Sequence, residues 1–250
     1  MDRNSMVLYG KNSVCERLKT NPKSINKIFL QDNFNVPEIE KLIELNNIPT
    51  QRLSLKELVK IKHGENLQGI IARVSKFEYT PFEDLLNRAK NKQLTLIFLD
   101  RIYDPQNLGA IIRTVACFGG FAIIIPKFEA CEVNETVLHI ASGGENYILV
   151  SMVSNLSHAI TAAKESGYWI MGTQVGDEAE DINEVSFPFP LGFVLGSEGK
   201  GIRYGVRKHL DMKVGIPMKG AKLSFNVVIA CAIFCHEIVK QRRDEDKLTS

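Results

Sequence analysis

Short apolar runs alternate with amphipathic segments through the second half of the chain. Five runs have the length and composition of buried strands, and they cover residues 95–99, 121–125, 168–171, 192–195 and 212–216. Helical spacing of apolar residues lies between several of these runs, for example at 110–118 and 155–164. This order predicts an α/β domain with a mainly parallel sheet flanked by helices.

The first third of the chain has a shorter pattern of elements. Helical patterns at 10–18, 36–45 and 55–61 alternate with strand patterns at 25–30 and 68–74, and Ser54 is placed to cap the third helix. A polar stretch at 75–93 follows, with a helical pattern at 81–89. We therefore predict a small α/β domain at 1–74, a connector at 75–93, a larger domain at 94–243 and a tail at 244–250.

An almost wholly apolar segment closes the larger domain. Residues 227–234 follow a loop that contains Pro217 and Gly220, and with their flanks they are long enough for a buried helix. Ser224 and Asn226 stand where this helix begins, and both residue types are preferred N-caps. Capping is therefore one interpretation of these two residues.

Composition excludes several classes of protein. Of the 250 residues, 44% are hydrophobic and 24% are charged, as in globular domains. No apolar run approaches the roughly 18 residues of a membrane span, and no signal-like segment begins the chain, so we expect no membrane association. Five cysteines without a Cys-x-x-Cys pair favour neither disulfides nor a zinc site, and they indicate a reducing cytoplasm.

Charge is unevenly distributed around a net of only +2. Residues 1–74 contain 12 Lys and Arg against 8 Asp and Glu, a net of +4, whereas residues 75–250 contain 19 against 21, a net of −2. The N-terminal part is therefore the better candidate for a surface that faces phosphates, although a solvated charged surface explains the charge equally well. The same two interpretations apply to the basic residues between 200 and 222.

Three stretches of the larger domain carry candidate chemistry. In the first, Asp104-Pro105 marks a helix start, and Asn107 and Arg113 follow in a helix that is otherwise apolar. In the second, Gly196 and Glu198 come directly after a predicted strand, which is where open α/β sheets bind ligands. The glycine spacing of this second stretch matches neither a dinucleotide fingerprint nor a P-loop.

The third stretch contains Ile216-Pro217-Met218 and then Ser224-Phe225-Asn226. Together and in this order, the three stretches resemble the three motifs of the SpoU-type (TrmH-type) RNA 2′-O-ribose methyltransferases, and the resemblance covers residues 94–240. The family has Leu where this chain has Phe225, an apolar residue in place of another. The resemblance implies a trefoil-knotted, Rossmann-like catalytic domain that uses S-adenosylmethionine and forms homodimers.

The resemblance also implies roles for individual residues. The residues expected in catalysis are Asn107, Arg113, Glu198, Ser224 and Asn226. The residues expected to bind the cofactor are Thr173, Gly196, Ile216 and Phe225, the last two on either side of adenine. No metal site is expected. The segment 141–145 resembles a further family segment near the active site, and a helix-ending turn is its other interpretation.

Residues 7–74 resemble the L30e-like substrate-binding domain that precedes the catalytic domain in many members of this family. The similarity rests on residues 8–12 and on the closing stretch 67–74, where Leu67 replaces the family's usual His. This domain implies an RNA substrate, most like that of the enzymes that methylate a guanosine of 23S ribosomal RNA. Ribose methylation of transfer RNA is the alternative reaction, and a non-catalytic RNA-binding protein on the same fold is the alternative of a different class.

Removal of the proton from the 2′-hydroxyl is the step that the motifs explain least. The methyl group is already activated as part of a sulfonium, so the protein has to orient the hydroxyl and stabilise developing negative charge. The family resemblance allows Arg113 to act either as a base or as a positioning group. We expect the positioning role, with an RNA phosphate as proton acceptor, because the very high pKa of a guanidinium makes it a poor base.

Overall fold

The computed structural model describes residues 5–63, 66–176, 178–197, 199–221 and 223–249, which form two compact units. The first unit consists of the described residues through Glu78 together with Val133–Tyr147. The second unit consists of Tyr79–Glu132 and the chain from Ile148 onward. Residues 94–243 were predicted as one domain, whereas here one segment of that stretch packs with the N-terminal elements.

The helices and strands are numbered in chain order. The strands are β1 (Ser5–Tyr9), β2 (Ile25–Gln31), β3 (Thr50–Leu53), β4 (Ile70–Ser75), β5 (Thr95–Asp100), β6 (Phe121–Pro126), β7 (Leu149–Val153), β8 (Trp169–Thr173), β9 (Glu180–Asp181), β10 (Leu191–Gly196) and β11 (Met212–Gly215). The helices are α1 (Lys11–Thr20), α2 (Pro37–Leu45), α3 (Leu55–Ile61), α4 (Phe82–Asn91), α5 (Pro105–Phe118), α6 (Glu135–Ala141), α7 (Leu156–Glu165), α8 (Tyr204–Arg207) and α9 (Val227–Thr249).

The first unit is built on a four-stranded sheet in the order β1-β4-β2-β3, in which β4 is antiparallel to both neighbours. The predicted cap of α3 is confirmed, because the backbone N–H of Ser54 donates to Glu57 Oε2 at 2.9 Å in a capping box. Leu67, the residue that replaces the family's His, is buried beside Phe29 and Leu58. The sequence pattern missed β1 and β3, and β3 is an edge strand with largely exposed side chains.

The segment Val133–Tyr147 belongs to the first unit through α6 and the turn after it. Asn134 caps α6, since its Oδ1 accepts from the backbone N–H of Val137 at 3.0 Å. The helix ends where Ser142 and Gly143 adopt left-handed backbone angles, with φ of 53° and 92°. The interpretation of residues 141–145 as a helix-ending turn is therefore confirmed.

A buried ion pair attaches this segment to α1. Arg17 Nη2 donates to Glu145 Oε1 at 3.0 Å, and the two side chains are 6% and 0% exposed. Arg17 Nη1 also donates to Ser24 Oγ at 3.2 Å, and Asn146 Nδ2 donates to the same Glu145 oxygen at 3.2 Å. Charges removed from water need such partners, so moving either residue out of this packing would leave the other charge buried and unpaired.

The second unit contains a seven-stranded sheet in the order β7-β6-β5-β10-β8-β11-β9. Every pairing in this sheet is parallel, so the predicted parallel α/β architecture is confirmed. All five predicted strands are present, and β7 and the two-residue β9 are additional. The carboxyl ends of β5, β10 and β8 are consequently adjacent at one edge of the sheet.

The predicted apolar helix is present as α9, which packs against α5 in the second unit. Its buried side chains include Val227, Cys231, Phe234 and Cys235. All five cysteines are free, and the hydrogen bond between Cys235 and Cys231, followed by burial, raises the pKa of the Cys235 thiol. None of the helices in the described ranges combines the length and the apolar character that a bilayer span requires.

We predict that Glu145→Leu lowers the free energy of unfolding by about 3 kcal/mol, because it leaves the Arg17 guanidinium buried without its charge partner. The double variant Arg17→Met with Glu145→Leu should recover most of this loss, since both charges are then absent. Urea denaturation followed by circular dichroism measures both effects. A single variant that loses under about 1 kcal/mol, as an exposed pair does, would contradict this account.

Candidate active site

A cavity of about 410 Å³ lies at the carboxyl ends of β8 and β10 and beside the start of α9. Strand ends, the loops that follow them and the first turns of α9 form its walls. The lining residues are Gly172, Thr173, Gln174, Val175, Leu195, Gly196, Ser197, Gly199, Lys200, Gly201, Ile202, Arg207, Leu210, Ile216, Met218, Ser224, Phe225, Val227, Ala230 and Phe234. All of them lie in the second unit.

The loop after β10 closes tightly against the end of its own strand. A Cβ atom on Gly196 would lie 2.3 Å from the carbonyl carbon of Gly201 and 2.4 Å from the backbone nitrogen of Ile202. The backbone N–H of Gly201 donates to the carbonyl of Ser197 at 2.9 Å. Only glycine fits at position 196, and this wall of the cavity consists largely of backbone.

The four residues predicted to bind the cofactor all line this cavity: Thr173, Gly196, Ile216 and Phe225. Thr173 Oγ1 donates to the carbonyl of Val194 at 3.0 Å, which ties the ends of β8 and β10 together. Phe225 is 44% exposed, so its ring presents an open apolar surface. The tertiary structure thus collects residues from three separate stretches into one wall, and their contacts with a cofactor remain a prediction.

Three of the predicted catalytic residues lie at or near the start of α9. Ser224 lines the cavity, and Asn226 Nδ2 donates to Asn107 Oδ1 at 3.4 Å. Asn226 Oδ1 accepts from the backbone N–H of Val228 at 2.8 Å. The capping interpretation is therefore confirmed for Asn226, which also links the first motif to the third.

Arg113 is not part of this group in the structure. Arg113 is exposed on α5, is absent from the cavity lining, and has no hydrogen bond or ion pair to any described residue. The helix that carries it begins as predicted, with Asp104 Oδ1 accepting from the backbone N–H of Gln106 at 2.8 Å. Glu198 lies outside the described residues, and so does Lys222 of the basic stretch.

Several lining residues were missed by sequence reasoning, among them Gln174 and Phe234, whereas Lys200 and Arg207 belong to the basic stretch that the sequence singled out. Gln174 carries a usable signal, because it follows closely on a predicted strand. Phe234 carries no such signal, since an apolar residue inside an apolar helix is normally predicted to be part of the hydrophobic core. No Asp, Glu, His or Cys occurs among the described residues of the lining, so the polar groups there are hydroxyls, an amide, two cations and the backbone.

Cys131 is a thiol of the second unit that can be excluded as a base. It follows β6, and its backbone N–H donates to the carbonyl of Ile102 at 2.8 Å. Burial, then the negative charges of Asp104 and Glu132, raise the pKa of this thiol. It therefore stays protonated at neutral pH. Within the described ranges, no cluster of three or more His, Cys, Asp or Glu side chains is arranged to hold a metal ion.

Two family models match the chain. One, described as the SpoU rRNA Methylase family, matches residues 94–236, which is more than half of the chain and includes every residue of the cavity. The other, described as RNA 2'-O ribose methyltransferase substrate binding, matches residues 7–80.

Individual proteins are similar over nearly the whole chain. A tRNA/rRNA methyltransferase of Synechocystis sp., slr0955, is 34% identical over 94% of this chain, and the match spans 62% of that protein's length. The 23S rRNA (guanosine-2'-O-)-methyltransferase RlmB of Nitrosomonas europaea is 34% identical over 95% of this chain and 92% of its own. A solved structure is similar in fold: the SpoU methyltransferase AviRb from Streptomyces viridochromogenes, in complex with the cofactor AdoMet. It superposes with a TM-score of 0.79 over 96% of this chain and 92% of AviRb, at 19% sequence identity.

We predict that Gly196→Ala abolishes binding of S-adenosylmethionine, the cofactor that the motifs imply, because even one Cβ would displace the backbone of Gly201 and Ile202. Gly205→Ala, in the short helix α8 that follows this loop, is the control, since a Cβ there meets no atom within 4 Å. Isothermal titration calorimetry measures both affinities, with circular dichroism to verify folding. Equal affinity in the two variants would show that this close approach does not shape the cofactor site.

Proposed function

The chain belongs to the SpoU rRNA Methylase family, and from this premise we propose that it methylates the ribose 2′-hydroxyl of a guanosine in 23S rRNA. Its reaction class is S-adenosylmethionine-dependent methyl transfer to an RNA ribose. The choice of 23S rRNA and guanosine is supported by the RlmB relative. Transfer RNA remains the alternative substrate, because the name of slr0955 covers both RNA classes.

One observation carries the proposal. The cavity brings together all four residues predicted to contact the cofactor, and the hydrogen bond between Asn107 and Asn226 joins two motifs beside it. A non-catalytic RNA-binding protein would have no need for this assembly, so we favour the enzyme.

The cavity fits S-adenosylmethionine in size and in chemistry. Its volume of about 410 Å³ lies in the range of small-molecule sites. Ile216, Leu210 and Phe225 offer apolar walls for a flat ring, and the tight loop after Gly196 offers backbone groups. When bound, the cofactor supplies an activated methyl group on a sulfonium.

The protein's own residues then have to orient the ribose. We propose that the Ser224 hydroxyl and the amide pair of Asn107 and Asn226 hold the sugar at the cofactor's methyl end. Arg113 is exposed, and its guanidinium is uncommitted among the described residues, so it is available to an RNA phosphate or ribose. Such pre-set hydrogen-bond donors lower the barrier by positioning and by stabilising developing charge.

The described lining residues do not include an ordinary base. We propose that the proton of the 2′-hydroxyl passes to an RNA phosphate, with Arg113 aligning that phosphate and the ribose. Glu198, which lies outside the described residues, is expected to order the site, as the family resemblance implies.

We propose that residues 1–74 bind the RNA substrate. The net charge of +4 and the match to the substrate-binding family model support this role. Within the first unit, a cavity of about 590 Å³ is lined by Lys11, Asn12, Gln31 and Gln68 together with apolar residues. Amides and an ammonium suit bases and phosphates, so this cavity is the candidate contact surface.

Three further properties belong to the proposal. Homodimer formation is supported by the exposed apolar side chains Leu223, Phe225 and Ile229 around the start of α9. A trefoil knot in the second unit is supported by the family resemblance. A cytoplasmic location is supported by five free cysteines.

Mapping of ribose methylation in RNA from cells that lack this protein tests the substrate assignment. We expect one guanosine of 23S rRNA to lose its 2′-O-methyl group and to regain it when the gene is restored. Loss confined to transfer RNA would replace the substrate. Purified protein that binds RNA and cofactor but methylates neither RNA class would overturn the enzymatic assignment.

We predict that Arg113→Lys slows methyl transfer by about 100-fold while folding and cofactor affinity stay unchanged. A planar guanidinium engages two oxygens at once, which an ammonium cannot do. Single-turnover methylation at saturating cofactor and RNA measures the effect, and Arg88→Lys on α4, also exposed, is the control. A rate for the Arg113 variant within a few-fold of the control would remove this residue from the catalytic group.

We predict that Lys11→Gln weakens RNA binding and reduces the slope of log affinity against log salt by about one, because one phosphate contact is lost. Turnover at saturating RNA should not change. Filter binding at several salt concentrations measures the slope, and Lys92→Gln, at the end of α4, is the control. An unchanged slope would place the RNA contacts of the first unit elsewhere.

A further inference from the structure

A second cavity of about 290 Å³ lies in the second unit, at the carboxyl ends of β6 and β7. It is lined by Pro126, Phe128, Glu129, Ser154, Asn155, Leu156, Ser157, Arg203, Gly205 and Val206. None of these residues lines the first cavity, and none belongs to the three motifs that indicate catalysis. Its mixture of hydroxyl, amide and apolar groups resembles a ligand pocket more than a packing defect.

One exposed aromatic ring lines this cavity, and a second belongs to a residue between two lining residues in sequence. Phe128 is 62% exposed and lines it, and Tyr204, which is 75% exposed, stands between the lining residues Arg203 and Gly205. A lysine lies over each ring: Lys127 Nζ is 5.6 Å from the centroid of Phe128, and Lys208 Nζ is 4.6 Å from that of Tyr204. We call these four side chains the aromatic–lysine surface.

Arg203 holds the two loops that carry this surface. Its Nε donates to Asp100 Oδ1 at 2.7 Å, and its Nη1 donates to Glu129 Oε2 at 2.9 Å. The loop after β6 and the loop after β10 are thereby attached to the end of β5. Glu129 is occupied by Arg203, and neither Lys127 nor Lys208 forms an ion pair within the described ranges. The rings are therefore pre-positioned, and both ammonium groups are available to an anion.

The same loop serves both cavities. Gly201, Ile202 and Arg207 line the first cavity, while Arg203 and Gly205 line the second. Residues 201–207 therefore connect the two cavities, both of which lie at carboxyl ends of strands of the same sheet.

We propose that the aromatic–lysine surface and its cavity bind unpaired nucleotides of the RNA substrate, next to the ribose that is methylated. Exposed aromatic rings stack unpaired bases, and lysines beside them neutralise the phosphates of the same nucleotides. Duplex RNA is a poorer fit, because its bases are already stacked. The inference rests on the proposed function for its substrate class, and it adds a site that the three motifs do not contain.

The test replaces each ring by a branched apolar side chain, in Phe128→Leu, Tyr204→Leu and the double variant. Each ring lost should weaken binding of a fluorescent single-stranded adenosine oligonucleotide by about tenfold, because base–aromatic stacking is lost. The KM for 23S rRNA should rise in parallel, while turnover at saturating RNA and affinity for S-adenosylmethionine stay unchanged. Phe128→Tyr and Tyr204→Phe should keep the oligonucleotide affinity and the KM of the unmodified protein, since each retains an aromatic ring.

Trp169→Leu is the matched control. Trp169 is also half-exposed, but it is the first residue of β8 and therefore lies at the amino ends of the strands, away from the cavities at the carboxyl ends. Lys127→Gln and Lys208→Gln should each reduce the salt slope of oligonucleotide binding by about one.

Binding and KM within twofold of the unmodified protein in the double ring variant would overturn the inference. So would a changed oligomeric state in gel filtration with unchanged RNA binding, since the surface would then join two copies of the chain. Loss of oligonucleotide binding in a protein that methylates no RNA would uphold the surface as an RNA site and overturn the proposed function instead.

Discussion

The buried carboxylate of Asp100 is the constraint on which both cavities depend. It stands fully buried at the carboxyl end of β5 and accepts from the backbone N–H and the Nε of Arg203, each at 2.7 Å. A carboxylate removed from water needs such partners, so the loop after β10 has to return to the end of β5 before it enters α8. That return brings Gly201 and Ile202 against Gly196 and forms the backbone wall of the first cavity.

A second buried pair has a different consequence. Arg17 and Glu145 lie 128 residues apart in sequence and commit the segment Val133–Tyr147 to the first unit, although both flanks of this segment belong to the second unit. A fragment covering only residues 94–243 would therefore lack both Arg17 and the first-unit elements with which this segment packs. For this reason, substitutions in the full chain test the roles of the two units better than truncation does.

The sequence by itself determined the architecture and the position of the first cavity. Apolar runs of strand length separated by helical spacing are sufficient to predict a parallel sheet, because both faces of each strand must be covered. Motif residues that directly follow such strands must meet at one edge, since the carboxyl ends of parallel strands lie together. This is why Thr173, Gly196 and Ile216 share one cavity although up to about forty residues separate them, whereas Phe225 joins them from the start of α9.

Only the tertiary structure decided the pairings between distant residues. Nothing in the local pattern marks Arg203 as the partner of Asp100, which is 103 residues away. The same holds for Arg17 and Glu145. A charged residue that is exposed in a loop cannot be told from one in a buried ion pair by its neighbours in sequence. The edge strand β3 escaped prediction because its side chains are mostly polar and exposed. The aromatic–lysine surface escaped because its rings come from the loop after β6 and from the start of α8. These two segments are joined by the ion pairs of Arg203, which form only when the sheet is assembled.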